Sequence, residues 1–158
     1  MRCGKKQRNS TQPKGELASR TLAMPADSNP KGDIFGGWIM SLMDSAGKMS
    51  ATPHAGGRVV TVAVSNIAFL QPAHVGDRVC CYTDVKRIGR TSITLDVEDW
   101  VLRQGQGERV KVTDAEFTFV AVHEDGRPRE LASSGPKSVA PPARNSRRTT
   151  RQRESEAM

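Results

Sequence analysis

Only one segment of this chain reads as a helix, and the rest of its body reads as strands. The helix, residues 36 or 37 to about 51, opens on Gly36-Gly37 and is apolar along one stretch, with Pro53 and the Gly56-Gly57 pair as its stop. Ahead of it, residues 17–24 form a short first strand ended by Pro25, and residues 26–35 are a loop of turn formers. Behind it, residues 58–70 contain the unbroken run Val59-Val60-Thr61-Val62-Ala63-Val64, the pattern of a strand covered on both faces. Residues 78–86 and 91–102 flank the short turn Arg87-Ile88-Gly89-Arg90 and form a hairpin. In its second strand Thr91, Ile93, Leu95, Val97 and Val101 fall on one side and Ser92, Thr94, Asp96, Glu98 and Trp100 on the other, so one face is expected to be wet. Residues 110–122 give a long last strand. Consecutive strands imply an antiparallel sheet, and the lone helix has only that sheet to pack on. The fold class is therefore α+β, without internal repeats.

Charge divides the chain into a body and two tails. The sequence has 158 residues and a formal net charge of +7, but residues 1–15 contribute +5 and residues 135–158 contribute +4. The body, residues 16–132, is left slightly acidic, which argues against nucleic acid as its partner. The tails, residues 1–15 and 133–158, lack hydrophobic periodicity and are expected to be disordered. They carry no aromatic residue to stack on bases, which favours a solubilising or incidental extension over contact with RNA, an acidic partner or an anionic membrane. No segment has the length of apolar residues that a signal peptide or a membrane span needs, and the expectation is a soluble protein of the cytoplasm. Cys80 and Cys81 are adjacent and Cys3 lies in a tail, which gives neither a disulfide framework nor a zinc spacing. His54, His74 and His123 sit at turns or strand ends, and none is spaced as a metal pair or as the base of a nucleophile triad.

Chemistry concentrates at the helix start. Bare glycine backbone at Gly36 and Gly37 lets a ligand carbonyl approach unpaired N–H groups at the positive end of the helix dipole, an oxyanion hole in outline. Asn29 stands in the loop before it, and Asp44 lies on the helix among Trp38, Ile39, Leu42 and Met43. Gly37 and Asp44 share a helix face, yet the rise of about 1.5 Å per residue separates them by roughly 10 Å, too far to meet one reacting carbon. If both act on one carbonyl, they come from two subunits.

These residues also carry a resemblance. Asn29-x-x-Gly32-Asp33-Ile34-Phe35-Gly36-Gly37-Trp38, Met43-Asp44, Gly57-Arg58-Val59-Val60-Thr61-Val62, Phe69-Leu70-x-Pro72-x-x-x-Gly76-Asp77 and Cys80-Cys81-Tyr82 resemble the hotdog-fold acyl-CoA thioesterases of the YciA type. The resemblance covers roughly residues 15–131. It implies a long helix wrapped by a curved antiparallel sheet, dimers joined edge to edge, and a trimer of such dimers. It further implies hydrolysis of a fatty acyl-CoA to free acid and coenzyme A, with no metal and no redox cofactor. Asp44 would then be the general base or nucleophile, Asn29 would orient water or the acyl carbonyl, and the Gly36 and Gly37 amides would polarise that carbonyl. The hairpin Arg87-Ile88-Gly89-Arg90-Thr91-Ser92 resembles the region that receives the coenzyme A phosphates and pantetheine, with Arg58 a weaker candidate. Arg forks suit phosphate, and a bare Gly89 permits close approach.

Two other readings stay open on the sequence. An acyl-thioester hydratase or dehydratase would pair a His with a carboxylate, but residues 25–50 contain no His. A non-catalytic acyl-CoA-binding or RNA-binding hotdog protein would have no use for both Asn29 and Asp44.

Overall fold

The helix start follows from backbone chemistry. In the computed structural model, which describes residues 11–105 and 107–131, α1 spans Gly36–Ala55. Phe35 precedes it in an extended conformation and offers no side-chain cap. The first helical bonds run from the N–H groups of Trp38 and Ile39 to the Phe35 carbonyl. At the other end Gly56 takes the left-handed conformation, φ 67°, and donates its N–H to Thr52 O at 2.9 Å, the left-handed glycine stop of many helices. The helix runs past the expected end near residue 51 and includes Pro53. A proline in a last turn forfeits one bond to the carbonyl four residues back, and burial of Ala51 and Ala55 holds the turn in place.

The residues α1 buries are Ile39, Met43, Ala46, Gly47, Ala51 and Ala55, a single stripe at helical spacing. Small side chains in mid-stripe let the sheet come close. A Cβ on Gly47 would lie 2.6 Å from the ring of Phe119.

Among the described residues five strands form the sheet: β1 (Glu16–Leu22), β2 (Val59–Phe69), β3 (Arg78–Ile88), β4 (Ser92–Leu102) and β5 (Arg109–Ala121). Their order is β1-β3-β4-β5-β2, and every neighbouring pair is antiparallel. The core lies between α1 and the sheet, around Met43, Val79, Ile93, Leu95, Val97, Phe117 and Phe119. Each such side chain contributes about 1.5–3 kcal/mol by leaving water. The hotdog architecture expected from the sequence is the one observed.

Two strand expectations need correction. The Val-rich β2 is not covered on both faces within the chain: it is an edge strand, with Val62 55% and Val64 38% exposed. A continuous apolar run reports that something covers a strand and is silent on whether the cover is the same chain. Nor is the second face of β4 wet, since Thr94, Glu98 and Trp100 are all buried. Trp100 packs with Cys80 and Tyr82 in a second apolar cluster on that outer face. Glu98 is held there by bonds from the backbone N–H of Lys14, from Trp100 Nε1 and from Lys111 Nζ. Burial pushes its carboxyl up, but these donors outweigh it and hold Glu98 below the usual carboxylate range.

On the helix side of β4, Asp99 interrupts the apolar row. It is fully buried opposite Cys81, and among the described residues neither of its oxygens has a hydrogen-bond partner of full geometry. Burial raises its pKa to about 7, with the weak thiol donor of Cys81 pulling the other way. Burial and the Asp99 charge push the Cys81 thiol up in turn.

Of the two expected tails, residues 1–10 and 132–158 lie outside the described residues. Among the described residues, no helix is long and apolar enough to cross a membrane.

Candidate active site

The N–H groups of Gly36 and Gly37 precede the first bonds of the α1 ladder, as the sequence predicts for a carbonyl-binding helix start. The two glycines differ in what surrounds them. Among the described residues, a Cβ on Gly37 would meet nothing within 4 Å, whereas one on Gly36 would press on the Phe69 ring at 3.2 Å. Packing within the chain therefore explains Gly36 and leaves Gly37 as the position open to a ligand.

The loop before the helix is tied at several points. Phe35 N–H donates to Asp27 O, Ile34 N–H to Ala73 O, and Asn29 N–H to Asp33 O at 2.8 Å. Asn29 Oδ1 accepts from the N–H groups of Lys31 at 2.9 Å and Asp33 at 3.1 Å, an Asx turn. Because both neighbours donate, only the oxygen fits there. The Nδ2 group is turned away from these donors. The oxygen is thus committed to the local turn, and the amide donor takes no part in it.

Asp44 sits mid-helix, its side chain 30% exposed. Its Oδ2 pairs with Lys48 Nζ at 2.9 Å one turn on, and its Oδ1 accepts from the Thr61 hydroxyl of β2. Lys48 is readable from the i,i+4 spacing. Thr61 is not, because a cross-element contact leaves no local pattern. A β-bulge between Thr61 and Ala63 breaks the pairing of β2 with β5 right after this residue. Gly37 and Asp44 belong to the same unbroken helix, so the separation of roughly 10 Å along its axis stands.

The hairpin residues Arg87, Gly89, Arg90, Thr91 and Ser92 gather at the opposite end of α1 from Asn29. Ser92 pairs with Val120, Thr91 O accepts from Ala121 N–H, and Ala121 pairs with Val59, next to Arg58. Since α1 has 20 residues, this end lies about 30 Å from the helix start. One chain does not bring the whole predicted set together. Gly89 has a structural reason of its own, as a Cβ there would lie 2.7 Å from Ser92 Oγ. Arg90 is paired with Glu130 at 2.6 Å, both side chains mostly exposed, and Arg87 and Arg58 are exposed.

An apolar cavity of about 350 Å³ lies beside the helix start, lined by Ile34, Gly36, Ile39, Phe69, Pro72 and Val112. A larger groove of about 1060 Å³ crosses the outer face of the sheet. The ion pairs Lys86–Glu116 and Lys111–Asp114 line it, and it contains none of the predicted site residues. Its size therefore does not make it the reaction site. Among the described residues, no group of three or more His, Cys, Asp or Glu is placed to hold a metal ion.

The sequence and the fold are matched among known proteins. The model of the thioesterase superfamily matches residues 31–108. The acyl-CoA thioester hydrolase YciA of Salmonella typhimurium is 52% identical over 126 residues, 78% of this chain and 95% of that protein. An uncharacterized acyl-CoA thioester hydrolase of Haemophilus influenzae is 54% identical over 127 residues, 78% of this chain and 82% of its own. Among solved structures, a hexameric, broad-specificity acyl-coenzyme A thioesterase superposes with a TM-score of 0.74 at 54% identity, covering 79% of this chain and 86% of that one. The hexameric thioesterase of Yersinia pestis does so at 0.73 and 53%, covering 78% of this chain and 100% of its own. With this fold, this helix start and relatives of this identity, the chain belongs to the hotdog-fold acyl-CoA thioester hydrolases of the YciA type.

Proposed function

We propose that the protein hydrolyses acyl-CoA to a free acid and coenzyme A, in a site shared between two copies of the chain. The start of α1 carries this reading: two N–H groups ahead of the helix ladder, open space over Gly37 among the described residues, and in the loop before them Asn29, whose Oδ1 is held by a local turn while its amide donor is left out of that turn. A thioester carbonyl laid there meets donors where negative charge develops. Asp44 of the other copy takes a proton from the water that attacks the carbonyl carbon. The tetrahedral intermediate then expels the coenzyme A sulfur, and the proton on Asp44 passes to it. Both Asp44 oxygens already accept a bond, which suits a base held in orientation better than a nucleophile. Single-turnover hydrolysis in heavy-oxygen water tests this step: the label is expected in the acid product and not in Asp44.

The location of Asp44 supports a shared site. Its partner Thr61 belongs to the edge strand β2, whose exposed valines invite another strand. Two chains joined along β2 by a two-fold axis bring each Asp44 toward the other's helix start. Three such dimers make a hexamer like that of the solved relatives. The apolar cavity at Gly36 and Phe69 receives the acyl chain, while Arg58, Arg87 and Arg90 meet the coenzyme phosphates. Cys80 and Cys81 are free thiols, which fits a reducing compartment such as the cytoplasm.

The deciding experiment follows free thiol released from acyl-CoAs of graded chain length by the purified protein. Turnover is expected, with a loss of ~10²–10⁴-fold in Asp44→Ala. Binding without thiol release would make the protein a sensor and end this reading.

A further inference from the structure

The strap of residues 72–77 carries a histidine that the proposed chemistry does not use. His74 Nδ1 lies 3.0 Å from Asp33 Oδ1, and residues 33 and 74 form an antiparallel bridge. Asp33 is the residue whose backbone N–H donates to Asn29 Oδ1 and whose carbonyl accepts from Asn29 N–H. His74 is itself fixed from behind. Its N–H donates to Asp77 Oδ2 at 2.9 Å, and Asp77 N–H returns a bond to its carbonyl at 3.1 Å. Asp77 is buried, with Arg103 Nε 3.7 Å from its carboxylate, and Arg103 Nη2 donates to Pro72 O at 2.9 Å. A chain of contacts thus runs from the body of the sheet through Arg103, Asp77, His74 and Asp33 to the side chain of Asn29.

We infer that His74 is a positioning residue for Asn29: by clamping Asp33 it fixes the Asx turn that aims the Asn29 amide at the thioester carbonyl. The inference rests on the role proposed for Asn29. The imidazole serves in either charge state, since the imidazolium and the Nδ1–H tautomer both donate to a carboxylate. The pair is an unpromising source of stability, because its side chains are 44% and 40% exposed and exposed pairs contribute little. Its effect belongs to orientation, where small misplacement of a reacting group is costly. The informative replacement is His74→Asn, which keeps a side-chain N–H donor close to the position of Nδ1, whereas His74→Ala removes it.

A double-mutant cycle on the full chain tests this. His74→Ala is expected to lower kcat about 10-fold, with KM for acyl-CoA and the melting temperature nearly unchanged, and His74→Asn to recover most of the loss. In an Asn29→Ala background, His74→Ala is expected to change kcat no further, because it acts through a side chain already gone. Full wild-type kcat in His74→Ala, or a loss that repeats undiminished in the Asn29→Ala background, overturns the clamp. If Asn29→Ala alone keeps wild-type kcat, the role of Asn29 fails first and the clamp falls with it.

Discussion

Gly37 and Gly47 put the same missing side chain to opposite uses. At Gly47 a Cβ would press on Phe119, which is fully buried and stacks on Phe117 with ring centroids 6.1 Å apart. Gly47→Ala should therefore destabilise the fold by about 1–3 kcal/mol, seen as a lower melting temperature. An unchanged melt would mean that the ring has room to move. At Gly37 nothing among the described residues stands in the way, and Ala is the better helix former. Gly37→Ala should hold its melting temperature while thioester turnover falls, and unchanged turnover would remove this position from the carbonyl site. The glycines, Asn29 and Asp44 are legible in the sequence as a constellation because each announces itself by residue type and spacing. Thr61 is hidden there because its bond to Asp44 joins two elements, across 17 residues of sequence.

Among the elements, β4 departs most from its sequence pattern. Strict alternation predicts a wet face, but alternation cannot see the cluster of Cys80, Tyr82 and Trp100 that covers it, nor the donors that satisfy Glu98. It also passes over Asp99 in the apolar row. The helix start and the strands are legible because glycine, proline and strand runs act locally; the cover over each face is a tertiary matter. Asp99 gives this strand a pH dependence. Its pKa of about 7 lies above its ordinary 3.8, so the folded state holds the proton more tightly than the unfolded chain. Stability from this group is full below about pH 4 and is lost as pH rises toward 7. Asp99→Asn should therefore melt higher than the parent at pH 8, gaining up to about 4 kcal/mol of stability at about 1.36 kcal/mol per pKa unit, with the gain shrinking toward pH 5. A variant melting no higher at pH 8 would show that Asp99 is charged at little cost. The hairpin between β3 and β4 makes a separate prediction. Arg90 pairs with Glu130 in the open, a contact weak enough for a phosphate to displace. Replacing Arg87 and Arg90 with Ala should raise KM for acyl-CoA more than for acyl-pantetheine, which lacks the nucleotide phosphates. Equal effects would separate the hairpin from the coenzyme.

At the scale of the whole molecule, one chain keeps the residues of the proposed site apart. Asn29 and Gly37 stand at one end of α1, Asp44 roughly 10 Å along it, and the hairpin about 30 Å away at the far end. The edge strand that holds Thr61 against Asp44 is apolar and open. In the proposed shared site a second copy along that edge would supply what one chain lacks; the solved relatives with the same fold are hexameric. The direct measurement is complementation between two inactive variants. Asp44→Ala and Asn29→Ala are each expected to lose ~10²–10⁴-fold in thioester turnover. Mixed and reassembled, they form heterodimers with one site that lacks both residues and one that lacks neither, so random pairing should restore up to about a quarter of wild-type activity. Heterodimers verified by mass that stay inactive would contradict the shared site and with it the roles given to Asn29 and Asp44.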